Sequence, residues 1–215
     1  MSGDFCFSGN SEMLEELILI RHGDIGKEFK GIFVGKTEIP LSAEGRLQAE
    51  RLRPYLESGP RPAVLSSPQL RCRETARIAT EPLGLPVEVD NDLREIDFGR
   101  WERLTFDEIV AADSSVVDGW ARYDRDFTFP GGERIGDFLS RISTVGDRLA
   151  SRSTGRTIVF THGGVIRALI CHFLKLEPRN YILFEVRPAS ITTIRLFAEG
   201  GILTGLNQWC HLEGV

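Results

Sequence analysis

The sequence contains only four cysteines, and no two of them lie close together. Cys6, Cys72, Cys171 and Cys210 form no Cys-x-x-Cys pair. That spacing argues against a zinc site and against a disulfide framework, and it is typical of a protein from a reducing compartment. We therefore expect a cytoplasmic protein that has no metal site and needs no cofactor.

The chain also lacks a long apolar run and an excess of positive charge. No segment approaches the ~20 consecutive apolar residues that a membrane span requires, and Met1–Glu12 does not have the charged start of a signal peptide. With 26 Lys+Arg against 31 Asp+Glu, the net charge of -5 offers no general attraction for nucleic acid. We expect no membrane or nucleic-acid partner, a flexible tail over residues 1–13, and a single domain over residues 14–215.

Short apolar runs define the predicted strands. Leu17–Ile20 is continuously apolar and ends abruptly in Arg-His-Gly, which is typical of a strand buried on both faces. Further strands are predicted at residues 63–65, 87–89, 157–160, 190–197 and 202–206. Because helical patterns separate these runs, the sequence predicts an α/β fold with a largely parallel sheet covered on both faces.

Helix signals lie between the predicted strands. The clearest helix covers Glu133–Ala150, where apolar residues recur at spacings of three and four. Ser42 is predicted to cap a helix that runs to about Leu56 with an interruption near Pro54, and Ser67-Pro68 to begin a helix that ends at about Thr80. Thr105 and Glu108 form a capping-box pattern.

The stretch from Gly99 to Gly132 differs from the rest because it is both aromatic and charged. It contains Trp101, Trp120, Tyr123, Phe127 and Phe129. We interpret it as an inserted, partly helical lid in which substrate selection resides.

Two histidine motifs follow two predicted strands. Arg21-His22-Gly23 ends the first strand, and Thr161-His162-Gly163-Gly164 repeats the arrangement 140 residues later. Ligand sites of α/β proteins form at the carboxyl ends of strands, so both histidines can face one site. A neutral imidazole can attack phosphorus at physiological pH. Either motif taken alone would more often hold a structural histidine than a catalytic one.

Arginines suited to bind a phosphoryl group lie in two places. Arg21 precedes His22, and Arg71 lies just inside a predicted helix, where the helix dipole also favours an anion. Guanidinium groups are planar, permanently charged donors that bind phosphoryl oxygens in pairs. The alternative for Arg71 is a solvated surface arginine.

A pair of carboxylates supplies a candidate proton donor. Glu95 and Asp97 lie between apolar residues, a setting in which burial can raise the pKa of a carboxyl group toward neutrality. Their spacing does not separate the two acids, and both could be ordinary solvated loop residues.

Six motifs occur in the order found in one known family. They are Arg21-His22-Gly23, Gly35 to Gly45, Ser66 to Arg71, Leu93 to Glu102, Phe129 to Glu133, and Thr161 to Gly164. With these motifs the chain resembles the histidine phosphatase superfamily, in its phosphoglycerate mutase-like branch. The resemblance implies a three-layer α/β/α sandwich with a mostly parallel, mixed sheet that has one antiparallel strand, and no metal.

The resemblance also implies roles for individual residues. His22 is the implied nucleophile, Glu95 the proton donor, and Arg21, Arg71 and His162 the pocket for the phosphoryl oxygens. We add the backbone of Gly35 and Gly163 to the phosphate-binding set. His172 and His211 match no motif and are expected to be structural or surface residues.

The chain departs from the family pattern at two positions. Glu28 stands where relatives usually carry an asparagine, so Lys27 or the backbone near Gly35 is expected to replace the missing amide. Arg103 stands where a glycine is commoner, and we expect it to alter the lid.

These observations predict a phosphomonoesterase that acts on a small organic phosphate through a phosphohistidine. The length and the Gly35–Ser42 segment are most similar to the α-ribazole phosphatase group, which suggests α-ribazole 5'-phosphate of cobalamin nucleotide-loop assembly as substrate. The alternatives are a broad-specificity phosphatase, a phosphoglycerate mutase-type phosphotransferase, for which the segment after Asn207 is short, and a non-catalytic phosphate-binding protein. The sequence leaves open whether the chain forms a homodimer.

Overall fold

A computed structural model describes residues 15–112, 114–152 and 155–212. The tail predicted for residues 1–13 lies outside the described residues. Within them, no helix has both the length and the apolar composition needed to cross a membrane.

The centre of the fold is a six-stranded sheet with the strand order β3-β2-β4-β1-β5-β6. The strands are β1 Glu15–Arg21, β2 Ala63–Ser66, β3 Glu88–Val89, β4 Arg156–Thr161, β5 Ile191–Phe197 and β6 Gly200–Gln208. Neighbours from β3 to β1 pair in parallel, whereas β5 runs antiparallel to both β1 and β6. The α/β class and the mostly parallel, mixed sheet with one reversed strand are thereby confirmed.

Alternate residues of β1 pack against different helical layers. Leu17 and Leu19 belong to an apolar cluster with the helices α6 (Ile135–Ala150) and α7 (Gly163–Phe173). Ile18 belongs to a second cluster, on the other face of the sheet. That face is covered by α1 (Ala43–Arg51), α2 (Arg53–Glu57) and α3 (Leu70–Thr80). The core therefore has two halves, one on each side of the sheet, as the three-layer arrangement requires.

Helix boundaries follow the capping residues. The Ser42 hydroxyl accepts a hydrogen bond from the N–H of Gly45, as predicted, and the helix is interrupted between Arg51 and Arg53, just before Pro54. The start predicted for α3 is wrong, because its N-cap is Gln69. Ser67 instead extends the hydrogen bonding of the sheet, since its N–H donates to the carbonyl of Phe160.

The segment predicted as a lid contains two short helices, α4 (Phe106–Ala112) and α5 (Ser114–Ala121). The capping box before α4 is confirmed, because the Glu108 carboxylate accepts from the N–H of Thr105 at 2.7 Å. Aromatic rings of the segment pack edge to face, with Trp101 at their centre. That this segment opens and closes as a lid stays a prediction.

Candidate active site

The two histidine motifs meet at the carboxyl ends of neighbouring parallel strands. Arg21 of β1 is in register with Thr161 of β4, so His22 and His162 follow side by side. Their ring centroids are 5.4 Å apart, and the rings meet edge to face. The structure therefore brings together the two histidines that the sequence placed 140 residues apart.

The environment of His22 leaves one ring nitrogen suited to nucleophilic attack. Nδ1 lies 2.8 Å from the carbonyl oxygen of Gly23, which can only accept, so Nδ1 carries the proton of the neutral ring and Nε2 keeps its lone pair. Burial lowers the pKa of His22 well below its usual value, and the positive charges of Arg71 and Arg21 lower it further. His22 is therefore an uncharged imidazole at neutral pH.

A glycine after His22 allows α1 to approach the site closely. A Cβ atom at Gly23 would lie only 2.6 Å from the carbonyl oxygen of Gly45. The N–H of Gly23 donates to the hydroxyl of Thr75 on α3. The turn that presents His22 is thus held between two helices.

Arg21 and Arg71 flank His22 and are held by backbone carbonyls. Arg21 Nη1 donates to Val186 at 2.6 Å, and the two terminal nitrogens of Arg71 donate to Thr37 and Gly35 at 3.0 and 2.8 Å. Arg71 is only 1% exposed, which excludes the solvated alternative. Nε of each arginine is buried and has no hydrogen-bond partner among the described residues. Two unpaired cationic donors beside an imidazole suit an anion.

Arg21 stays charged although its surroundings lower its pKa. Burial and the neighbouring Arg167 lower the pKa of Arg21 to about 10, so its guanidinium is still charged at neutral pH. Arg167 lies on α7 and its Nε donates to the carbonyl of Phe184. The sequence analysis missed Arg167, although its position four residues after Gly163 could have placed it one helical turn above the site.

The backbone of Gly35, which the sequence analysis expected to bind phosphate, makes other contacts. Its N–H donates to the carboxylate of Glu102, and its carbonyl oxygen accepts from Arg71 and from the side-chain amide of Gln69. Glu102 also accepts from the N–H groups of Lys36 and Thr37. In the structure Gly35 therefore positions Arg71, and its own backbone groups are occupied.

Glu95 and Asp97 are separated by orientation, which the spacing could not show. Glu95 is 9% exposed, and its Oε2 accepts from the N–H of Gly164 at 3.0 Å, at the start of α7. Asp97 instead accepts from Lys36 Nζ and from the N–H of Gly99, both at 2.8 Å. Only Glu95 faces the cavity that His22 lines.

Gly164 and Gln69 support Glu95, and neither was in the predicted site. A Cβ atom at Gly164 would come within 2.4 Å of Glu95 Oε1, so only glycine leaves room for the carboxylate. Gln69 Oε1 accepts from the backbone N–H of Glu95 at 2.9 Å. Of these two residues, Gly164 could have been predicted, because it is the second glycine of the His-Gly-Gly motif.

His162 is held by groups below the site. Its Nε2 lies 2.7 Å from the hydroxyl of Ser67 and 3.3 Å from Cys72 Sγ. Burial, followed by the charge of Arg71, lowers the pKa of His162 well below its usual value. Burial also raises the pKa of Cys72 to about 12, so Cys72 is a neutral thiol here. No three His, Cys, Asp or Glu side chains group as metal ligands in the described ranges.

A cavity of about 650 Å³ is lined by His22, whereas His162 and Arg71 do not line it. Its lining includes Arg21, His22, Glu95, Gly163, Gly164 and Arg167, together with residues of the loop that follows His22. Lys27 lines it and Glu28 does not, and Val34, the neighbour of Gly35, lines it as well. That Lys27 or the backbone near Gly35 replaces the missing amide stays a prediction. Arg103 has a φ of 67°, in the left-handed region that favours the commoner glycine.

Comparison with known proteins places the chain in a family. The model of the histidine phosphatase superfamily (branch 1) matches residues 17–208. The chain belongs to this superfamily, which the sequence motifs indicated. It is accordingly a hydrolase of phosphomonoesters of that class.

The match covers most of some relatives and only about half of another. The chain is 26% identical over 198 residues to phosphoserine phosphatase 1 of Hydrogenobacter thermophilus, covering 92% of this chain and 94% of the relative. It is 34% identical over 188 residues to a bifunctional protein of Mycobacterium tuberculosis, covering 86% of this chain and about half (51%) of that relative. The crystal structure of the α-ribazole phosphatase from Shigella flexneri superposes with a TM-score of 0.82 at 26% identity, covering 90% of this chain and 96% of the other.

Proposed function

We propose that this protein hydrolyses a small organic phosphomonoester through a phosphohistidine on His22. The observation that carries the proposal is a neutral His22 imidazole, with Nε2 free of a proton, in a cavity that Arg21, Glu95 and the start of α7 also line. A phosphoryl group held there by the Arg21 guanidinium and the N-terminus of α7 would present its phosphorus to that nitrogen, and the charge of Arg71 would favour the anion from outside the cavity lining.

In the first step, the lone pair on His22 Nε2 attacks phosphorus and the bond to the leaving oxygen breaks. The leaving oxygen takes a proton from the carboxyl group of Glu95, which the N–H of Gly164 holds at the cavity wall. Arg21 and Arg71 offset the charge on the phosphoryl oxygens as it develops. The N-terminus of α7 at Gly163 adds a backbone donor and a favourable dipole, and His162, whose Nε2 contacts the Ser67 hydroxyl, supports the pocket without lining it.

In the second step, water attacks the phosphorus of the phosphohistidine. The Glu95 carboxylate, left ionised by the first step, accepts the proton of that water, and the P–N bond breaks. Inorganic phosphate leaves and His22 returns to its neutral form. The same group thus acts first as acid and then as base.

The finer proposal for the substrate is α-ribazole 5'-phosphate. It is supported by the resemblance of the Gly35–Ser42 segment and by the likeness to the Shigella flexneri enzyme over 90% of the chain. Phosphatase motifs bind the phosphate rather than the leaving group, so they serve a broad-specificity enzyme equally well.

A substrate panel tests this proposal. Purified protein is assayed for phosphate release from α-ribazole 5'-phosphate, O-phosphoserine, 3-phosphoglycerate and ethyl phosphate, with the His22→Asn variant in parallel. We expect hydrolysis that depends on His22, with the highest kcat/KM for α-ribazole 5'-phosphate. A flat profile would leave the phosphatase and remove the specific substrate. Formation of 2-phosphoglycerate instead of inorganic phosphate would make the protein a mutase, and full turnover by His22→Asn would remove the mechanism.

A further inference from the structure

A second cavity opens beside the catalytic one and has different walls. It has a volume of about 210 Å³. We call it the aromatic chamber, and its lining residues are Phe33, Glu95, Ile96, Phe98, Trp120, Tyr123, Phe129, Ile135, Phe138, Gly164, Arg167 and Tyr181. Engineered apolar cavities of about 150 Å³ take up benzene. The aromatic chamber is thus large enough for a single aromatic ring.

The chamber joins the catalytic cavity at the position of the leaving oxygen. Glu95, Gly164 and Arg167 line both cavities. Since Glu95 is the group proposed to protonate the leaving oxygen, the atoms that follow that oxygen lie next to the chamber. The chamber therefore lies where the body of the leaving group would extend.

The far wall of the chamber joins the lid segment to the body of the protein. Tyr123, just after α5, stacks on Tyr181 with ring centroids 4.1 Å apart and an angle of 21° between the rings. Tyr123 has a φ of 52°, a conformation that non-glycine residues adopt only where their surroundings hold them. The stack therefore forms part of the chamber wall.

The charges around the chamber favour an uncharged ring. Burial raises the pKa of both tyrosine hydroxyls, and the neighbouring Tyr181 raises that of Tyr123 further. Both hydroxyls are therefore neutral at physiological pH. The charged side chains of the described lining are Glu95 and Arg167, and both lie at the boundary with the catalytic cavity. A leaving group with an ammonium and a carboxylate, as in phosphoserine, would meet apolar walls over most of its surface.

We propose that the aromatic chamber selects phosphomonoesters whose leaving group carries an uncharged aromatic ring, and that Trp120 and the Tyr123–Tyr181 stack are the residues that select it. The inference rests on the proposed phosphatase activity, because it concerns the leaving group of that reaction. The inference names a class of substrates, and it assigns the recognition of that class to residues outside the phosphate pocket.

The test compares 2-phenylethyl phosphate with ethyl phosphate. Both esters release a primary alkoxide, so their intrinsic reactivity is matched and the ring is the difference. We expect kcat/KM to be at least about tenfold higher for 2-phenylethyl phosphate, the size of discrimination that an apolar pocket provides. We also expect it to exceed the value for O-phosphoserine. Equal values for the two alkyl esters, or a preference for O-phosphoserine, would overturn the inference.

Two variants assign the preference to the chamber. Trp120→Leu is expected to lower the ratio of the two kcat/KM values toward one, whereas Trp209→Leu, an exposed tryptophan outside the chamber, keeps the wild-type ratio. Tyr181→Leu, which changes the body side of the stack, repeats the test should the first variant fail to fold. An unchanged ratio in the folded chamber variants would overturn the assignment. If wild-type protein releases phosphate from neither ester nor from any member of the substrate panel, α-ribazole 5'-phosphate included, the proposed function itself fails. Release from a panel member without a ring preference between the two test esters overturns only the inference.

Discussion

The two cavities of this protein draw their residues from the sequence in different ways. The phosphate pocket is made of short motifs at the ends of β1 and β4 and the start of α3, so each motif carries several of its groups in consecutive residues. The aromatic chamber takes side chains from five separate stretches between Phe33 and Tyr181. The comparison indicates that one set of residues carries out the reaction and another set selects the substrate. Substitutions in the pocket should change turnover of every substrate, and substitutions in the chamber should change the ratio between substrates.

The largest expected contrast is between the two neighbouring acids. Glu95→Gln should lower kcat about a hundredfold or more for ethyl phosphate, because general acid catalysis contributes about 10² to 10⁴. The loss should be smaller for 4-nitrophenyl phosphate, whose leaving oxygen needs little help from a proton. Asp97→Asn should stay within about threefold, since its carboxylate contacts Lys36 outside the pocket. Steady-state assays on both esters measure this contrast, and equal losses in both variants would contradict it.

A smaller effect is expected when the support of Glu95 is changed. In Gly164→Ala the new Cβ would lie 2.4 Å from Glu95 Oε1, so the carboxylate must move and kcat should fall about tenfold. The double variant Gly164→Ala/Glu95→Gln should be no slower than Glu95→Gln alone, because both changes act on one group. Losses that multiply in the double variant would show that Gly164 acts by another route.

The smallest effect is on stability. Burial lowers the pKa of His172 and His211 as well, but we expect the largest part of the effect to come from the two histidines of the phosphate pocket. His22 and His162 have a lower pKa in the folded chain than the ~6.5 of an unfolded one, so below that pH the unfolded chain binds more protons and the free energy of unfolding decreases. Each should cost on the order of 1 kcal/mol by about pH 5.5. Urea unfolding at about pH 7 and pH 5.5 measures the loss.

The matched variants sharpen that measurement. His162→Asn should lose less stability on acidification than the wild type, by about the contribution of one histidine. Trp120→Leu, in the chamber, should keep the wild-type difference between the two pH values. An acid loss that His162→Asn leaves unchanged would contradict the assignment of a lowered pKa to this residue.

Local patterns predicted the parts of the fold and site that depend on local sequence. The apolar run before His22 has to be a buried strand, and the Ser42 cap needs only the N–H of Gly45, so both could be predicted. The alternation along Glu95-Ile96-Asp97 was ambiguous because the path of the backbone decides which acid turns inward. That path depends on Gly164 and Gln69, which contact Glu95 from other parts of the chain.

Long-range contacts explain the remaining differences. Ser67 had the chemistry of an N-cap, but its hydroxyl lies 2.7 Å from His162 Nε2 and α3 begins later. Gly35 was expected at the phosphate, but Glu102 and Arg71 occupy its backbone groups. In each case a partner distant in sequence outweighs the local preference, and no spacing rule reports such a partner.

The measurement that tests the central claim most directly is capture of the intermediate. The protein is mixed with substrate, quenched within milliseconds in alkaline denaturant and analysed by intact and peptide mass spectrometry. The account predicts the mass of one added phosphoryl group, located on His22, formed and lost at rates consistent with kcat, and absent from His22→Asn. Steady turnover with no adduct on His22, together with a His22→Asn variant that still hydrolyses the substrate, would contradict it.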